Sequence, residues 1–464
     1  MSNACAAPTQ KKTRTAAVFA AIKSVFAGRG NSAAALQTLA VKFLVLGLNA
    51  ATSVVSARGL YPAGRGEMAA IIMWPGFFSA MLTLGLPSSL TFNLRRHPER
   101  TSETLGGALV LTLLIGTVTA ILGFFFVPLW LTQYSHATVI HARWMLLASP
   151  LPMLLYYGRQ TLEAKGNFFA SNLSVWAVPF LTLVWLLVLL AMGHITPVSG
   201  GVAYLFTSVP LAAILLAQVY AKYGIRFRNA GASLRRLLHF GLRAWGIDLL
   251  TALAVSESVL VVHFLPPAAM GTYVVAASLA RILSVFQTSA VIVLYPRIAA
   301  RDTADVIELT GFTLRITTLC AAAGAIAVGA LGPVLLSSFY GSSYADASSI
   351  VIFRVLLGEV VLSGVTQVLA QAYLALERPG AVAVIQAVGV GIGWLVMPGL
   401  IQAFGAVGAP LGLVLSSIIR FAITFLMFPY ILKTSAPRIW PRREDLKVLA
   451  ARFVSLTEKP ATVS

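Results

Sequence analysis

Leu60-Tyr61-Pro62-Ala63-Gly64-Arg65-Gly66 follows one long apolar run, and Leu265-Pro266-Pro267-Ala268-Ala269-Met270-Gly271 follows another in the second half of the chain. Leu, Pro, Ala and Gly recur at matching places in the two stretches. Carried forward without gaps, the same offset sets Arg96 opposite Arg301, each just past the next apolar run. Further on, Thr161-Leu162-Glu163-Ala164-Lys165-Gly166 echoes Ala372-Tyr373-Leu374-Ala375-Leu376-Glu377-Arg378-Pro379-Gly380. Three echoes in one order point to a duplicated unit whose copies share an orientation, a common transporter plan.

The duplicated unit is built for lipid. Of 464 residues, 58% are hydrophobic and only 11% charged, and the mean hydropathy is +0.85. A soluble domain carries about 25% charged residues, so a water-soluble fold is excluded. About twelve runs are long enough to span a bilayer, which takes roughly 20 apolar residues each. The expected fold is an all-α polytopic membrane protein with two pseudo-symmetric six-helix lobes around a central cavity. The expected organisation is an N-terminal tail (1–35), a first lobe (36–221), a basic linker (222–237), a second lobe (238–432) and a basic C-terminal tail (433–464).

The 34 Lys and Arg against 15 Asp and Glu give a net charge of +19. Most of these cations fall in alternate gaps: the N-terminal tail, Arg95 with Arg96 and Arg100, Arg159 with Lys165, the 222–237 linker, Arg297 with Arg301, Arg378, and the C-terminal tail. The opposite gaps hold Arg58 and Arg65 alone. The positive-inside rule then places both termini in the cytoplasm. Anionic lipid accounts for the basic excess, so no nucleic-acid partner is expected. Lys11, Lys12 and Arg14 precede a short apolar stretch that Lys23 interrupts, which reads as a cytoplasmic tail rather than a cleaved leader. Cys5 and Cys320 lie in unlike surroundings and offer neither a disulfide framework nor a metal site.

A cation within hydrocarbon costs at least about 2.5–3.5 kcal/mol unless it is paired or faces water, so the embedded charges are where function is expected. Arg281 lies about ten residues into its run, roughly 15 Å deep. Its guanidinium suits an oxyanion, which it can bind bidentately. Thr288 and Tyr295 share its helical face, and pairing with Asp248 or Glu257 is the structural alternative. Thr38, Lys42, Asn49, Ser53 and Ser56 form one polar stripe, suited either to lining a cavity or to gluing helices together. Arg58 reads as an anion contact or as a cap on helix carbonyls, and Arg65 as a solvated loop residue. Asp248 and Glu257, about 13 Å apart along one helix, are candidates for carrying H⁺ or Na⁺. Glu359 and Arg354 read as ties within the second lobe, Arg143 and Arg315 as snorkelling residues near helix ends, and Arg420 as either cavity or pairing. No Gly-rich phosphate loop is present, so ATP hydrolysis is not expected to drive the protein.

Ala57-Arg58-Gly59-Leu60-Tyr61-Pro62 leading to Gly66, Gly85-Leu86-Pro87, Tyr295-Pro296-Arg297 and Ala375-Leu376-Glu377-Arg378-Pro379 together resemble the Wzx-type polysaccharide flippases. These belong to the superfamily of multidrug, oligosaccharidyl-lipid and polysaccharide exporters. The resemblance covers about 36–432. It departs from the family at Tyr61, where Gly is commoner. It implies a V of two lobes working by alternating access, with helices 1, 2, 7 and 8 lining the cavity. It also implies a substrate of oligosaccharide on polyprenyl diphosphate, moved from the cytoplasmic to the periplasmic leaflet of a bacterial inner membrane for surface or exopolysaccharide assembly. The further expectations are a monomer that is not an enzyme, takes no cofactor and works beside a polysaccharide polymerase. Two other readings stand: a cation-coupled drug antiporter of the same superfamily, disfavoured by the excess of embedded cations, and a membrane glycosyltransferase or polymerase, disfavoured by the short outward gaps.

Overall fold

A computed structural model describes residues 31–255, 257–299 and 301–440. Within helices, the side chains of 31–39, 247, 248, 250, 251, 253–255, 257 and 296 lie outside that description. The terminal stretches 1–30 and 441–464, and the side chains of Asp248 and Glu257, therefore fall outside the described residues.

The first apolar run and the second are joined almost without a loop. Helix α1 covers Asn31–Met81 and turns a corner at a single residue, Tyr61, at φ 55° and ψ 176°. Pro62, with φ fixed for a helix start, opens the arm that runs to Met81. That arm is about 30 Å long, the thickness of a bilayer core. Tyr61 thus stands in a positive-φ conformation that costs an L-residue of order ~1–3 kcal/mol, at the place where Gly is commoner in the resembling family. Its ring is 67% exposed and contributes little packing. Tyr61→Gly is therefore expected to stabilise the protein by about 1 kcal/mol, read as a higher unfolding temperature in detergent. A lower temperature would show that the ring anchors the corner.

Helix α1 is followed by a break at Thr83–Gly85 and then α2 (Leu86–Arg96). Leu84 and Gly85 both have positive φ. The first lobe continues with α3 (Thr101–Trp130), α4 (His136–Met145), α5 (Pro150–Ala164), α6 (Phe168–Ala191), α7 (Pro197–Phe206) and α8 (Ser208–Tyr223). The second comprises α9 (Ala230–Val255), α10 (Glu257–Phe264), α11 (Pro267–Ala280), α12 (Ser284–Ile298), α13 (Thr303–Ala330), the short α14 (Gly332–Leu335), α15 (Ala347–Ala375), α16 (Pro379–Phe404) and α17 (Gly408–Leu426). The segment 222–237 is non-helical only over 224–229, because α8 runs to Tyr223 and α9 begins at Ala230.

Nine candidate membrane spans are long and apolar enough among the described residues. Ala40–Met81 and Pro379–Leu432 each hold two of the expected runs, and α9 with α10 carries a further one. The molecule is thus an all-helical, multi-pass membrane protein of two six-helix lobes, as the hydropathy pattern predicts.

The lobes meet unevenly. At the end carrying the Tyr61 corner, one buried apolar cluster runs across both, joining Trp74, Met145 and Leu146 to Val261, Met270, Tyr273, Phe353 and Met397. At the opposite, basic end the first lobe's cluster, around Leu90, Leu94, Leu105 and Tyr157, takes in Leu237 of α9, while a separate cluster in the second lobe gathers Ile298, Leu314, Leu369 and Tyr373. Apolar continuity therefore seals the corner end, and at the basic end α9 joins the second lobe to the core of the first.

Helix α9 crosses between the lobes. Ser89 Oγ donates to the Leu237 carbonyl (2.7 Å), Trp245 Nε1 donates to the Met81 carbonyl (2.8 Å), and Phe92 stacks on Phe240 at 4.3 Å. A Cβ on Gly85 would lie 2.0 Å from the Gly241 carbonyl oxygen. Gly85 is thus required both by its φ of 69° and by close backbone approach.

Candidate functional site

The matched loops that reveal the duplication also touch each other. A Cβ on Gly66 would lie 1.8 Å from the Pro267 carbonyl oxygen, and one on Gly271 would lie 1.9 Å from that of Pro62. Each repeat therefore lays its glycine against the other repeat's proline, a reciprocal contact like that of a twofold interface. Ser53 Oγ and Ser278 Oγ, 2.7 Å apart, join α1 to α11 nearby. The Tyr344 hydroxyl donates to the Ala57 carbonyl (3.3 Å), and burial raises the Tyr344 phenol above its usual pKa, keeping it a neutral donor. Trp130 Nε1 donates to the Val259 carbonyl, and His263 Nδ1 lies 2.7 Å from the Trp130 carbonyl oxygen. These bonds form a closed seam.

Two arginines occupy that seam. Arg58 Nε donates to the Phe339 carbonyl (2.8 Å) and its Nη2 to that of Ser338, capping the π turn Leu336–Tyr340. Arg65 is only 5% exposed, and its Nε and Nη1 are buried without a hydrogen-bond acceptor. It lies near Tyr204 of the first lobe and Tyr344 of the second, close enough for its charge to act on both. The expectation of a solvated loop residue is corrected: the loop shrinks to Tyr61, so Arg65 falls on the first turn of a packed helix.

Two clefts open on the first lobe. One, of about 340 Å³, lies among α1, α5, α6 and α7 and presents Asn49, Tyr156, Arg159, Ser174, Thr182 and Tyr204. The other, of about 570 Å³ at the basic end, presents Ser88, Thr91, Arg95, Arg96 and Gln160 beside Phe92. Arg159 and Gln160 are consecutive on α5, so the clefts are neighbours. Arg159 Nε is buried without a partner, and no carboxylate lines either cleft among the described residues. A mainly apolar hollow of about 270 Å³ lies on the same two helices, α1 and α6, lined by Ala40, Val41, Leu44, Phe169, Leu173 and Trp176 with Asn172 as its polar member.

The predicted residues divide accordingly. Asn49 lines the deeper cleft, while Ser53 is buried in the seam. Lys42 is exposed on the first arm of α1. Arg281, also exposed, opens the 3₁₀ turn Arg281–Leu283 that interrupts the eighth span, and Ser284 Oγ donates to its carbonyl at 2.6 Å. Such a break within a span is a natural hinge. Thr288 is half-buried on α12.

The other embedded charges are structural ties. Arg420 Nη2 lies 4.0 Å from Glu359 Oε1, and Ser417 bridges them by accepting from Arg420 and donating to Glu359, each at 2.8 Å. Arg354 Nε donates to the Gly329 carbonyl (3.1 Å). Arg143 Nε donates to the Phe124 carbonyl (3.2 Å) with its guanidinium over that ring. Arg315 is 7% exposed rather than snorkelling, with Nη1 donating to the Arg438 carbonyl (3.4 Å).

The charge pattern groups Arg159 with the loop cations, yet it precedes the end of its apolar run, and that position is the signal that sets it apart.

Two helical lobes sealed at one end and bearing basic clefts define a multi-pass, helical membrane protein. The chain belongs to the polysaccharide biosynthesis protein family, whose model matches residues 33–300. Among solved structures it is similar to the lipid II flippase MurJ in an inward closed conformation, with TM-score 0.71, 15% identity, and 92% of this chain and 94% of that chain covered. It is also similar to an inward-facing multidrug resistance MATE family transporter, with TM-score 0.66, 15% identity, and 87% and 100% covered. A third similar structure is a transporter of the same superfamily from Pyrococcus furiosus, with TM-score 0.60, 14% identity, and 87% and 97% covered. No curated protein sequence matches the chain.

Proposed function

We propose that this protein is a flippase that moves an oligosaccharide on polyprenyl diphosphate across the bacterial inner membrane by alternating access, serving surface or exopolysaccharide assembly. The observation that carries the reading is the polarity of the first-lobe clefts. Arg95 and Arg96 line one cleft beside Gln160, Arg159 lines the other beside Asn49 and Tyr156, and no carboxylate lines either among the described residues. A cationic drug needs the opposite polarity, whereas a diphosphate finds bidentate donors. The solved Pyrococcus furiosus structure is described by the reverse polarity of its binding pocket, which suggested a different function for that transporter. Family membership supports a polysaccharide substrate.

In this reading the basic end and both termini face the cytoplasm, and the conformation is closed toward the periplasm. The diphosphate enters past Arg95 and Arg96 and meets Arg159, with the prenyl chain against the apolar hollow of α1 and α6. Arg281 at its 3₁₀ hinge, with Thr288, and Arg58 and Lys42 are held as further anion contacts. Asp248 and Glu257 are the proposed H⁺ or Na⁺ carriers. The protein acts as a monomer, without catalysis of its own or a bound cofactor, next to a polysaccharide polymerase.

The test is deletion in a strain without redundant flippases: lipid-linked glycan accumulates in the cytoplasmic leaflet, and glycan still reaching the periplasm would sink the reading. Arg159→Ala is expected to abolish most export at normal membrane levels, and Arg159→Lys to restore part of it. Normal export by Arg159→Ala would remove the deeper cleft from the pathway.

A further inference from the structure

Arg58 and Arg65 belong to one seam, yet only Arg58 has found acceptors. Arg58 reaches the open carbonyls of Ser338 and Phe339, the ordinary structural use of an arginine at a helix end. Arg65 is more deeply buried, and its Nε and Nη1 meet no acceptor. An uncompensated buried guanidinium disfavours the conformation that buries it. The phenols of Tyr204 and Tyr344 stand nearby. Gly66, the next residue, is pressed against Pro267 of the other lobe. Any separation of the lobes at this end therefore uncovers Arg65, and an anion could then reach its unused donors.

We propose that Arg65 is a phosphate subsite on the exit side of the transport path, occupied by the diphosphate only when the corner end opens. A diphosphate that binds the open form and has no access to Arg65 in the closed one shifts the population toward opening by its differential affinity. The unpaired charge thereby weakens the closed seam, and the anion collects that energy on opening. This assignment rests on the flippase reading for the identity of the substrate. The gate response itself is measurable without any glycan.

The experiment uses the full chain in nanodiscs, with Cys5 and Cys320 changed to Ser and Met270→Cys as reporter. Met270 is fully buried at the seam, so a polar maleimide labels it only when that end opens. Inorganic diphosphate should raise the labelling rate several-fold in the otherwise unchanged protein. Arg65→Gln should abolish that rise, and Arg65→Lys should keep part of it. Arg65→Leu removes the buried charge, so its basal labelling should fall below the starting level, a change that mere loss of packing would not produce. A response to diphosphate that persists in Arg65→Gln, no response in the unchanged protein, or basal labelling that rises in Arg65→Leu would each overturn the proposal. Intact gate responses in a protein that fails to export glycan in cells would instead count against the flippase reading alone.

Discussion

Gly66→Ala is expected to leave both lobes folded and yet prevent them from closing at the Tyr61 end. The added methyl would lie 1.8 Å from the Pro267 carbonyl oxygen, far inside contact distance, and that neighbour is backbone rather than a side chain that can turn away. The lobes must therefore move apart, at an overpacking cost of about 1–3 kcal/mol or more. Within its own helix the substitution is favourable by roughly 0.5–1 kcal/mol, because alanine loses less freedom than glycine. Lobe stability should thus hold while the closed seam is lost. Gly271→Ala should give the same phenotype, since its methyl would meet the Pro62 carbonyl oxygen at 1.9 Å. Labelling of a cysteine at Ala57, buried in the same seam, should become fast in both variants while export stops. Normal export with slow labelling would show that the reciprocal glycine contact is dispensable.

The second large effect is expected in the other lobe. Glu359 and Arg420 are 9% and 8% exposed, and removing one partner leaves a buried charge without compensation. Arg420→Ala or Glu359→Leu should each cost about 3–5 kcal/mol, whereas the double change Glu359→Leu with Arg420→Met should recover most of it. The Arg420 stem lies across α16, so that a Cβ on Gly389 would be 2.0 Å from its Cγ. Gly389→Ala should accordingly displace Arg420 and reproduce part of the single-variant loss. Thermal unfolding in detergent measures all four. If the single variants unfold at the parental temperature, the pair does not hold the lobe together.

Several structural features are legible in the residues. The two seven-residue echoes predict a repeat, and the structure brings their glycines and prolines into mutual contact. Gly85-Leu86-Pro87 enters the sequence reading only as a family-like motif inside a continuous apolar run, whereas the structure breaks the helix there, with positive φ at Leu84 and Gly85 and a close backbone crossing at Gly241. The charges were harder. Arg65 looks like a loop cation because hydropathy does not show that a turn will shrink to one residue, and Arg159 is grouped with the loop cations because it lies within a turn of the run's basic end, although it precedes that end. The residues leave Arg420 open between cavity and pairing, because Glu359 and Gln386 lie on two other helices and meet it and its neighbour Ser417 only in the folded chain.

Hydropathy and charge asymmetry belong to each segment separately and add along the chain, so the sequence alone determined a membrane protein of two repeated lobes with one basic end. Which cations are satisfied and which stand without an acceptor depends on contacts between segments far apart in the chain. Only the tertiary structure decided that Arg58 caps a turn, that Arg420 pairs with Glu359, and that Arg65 is buried in the closed seam with no acceptor for its charge.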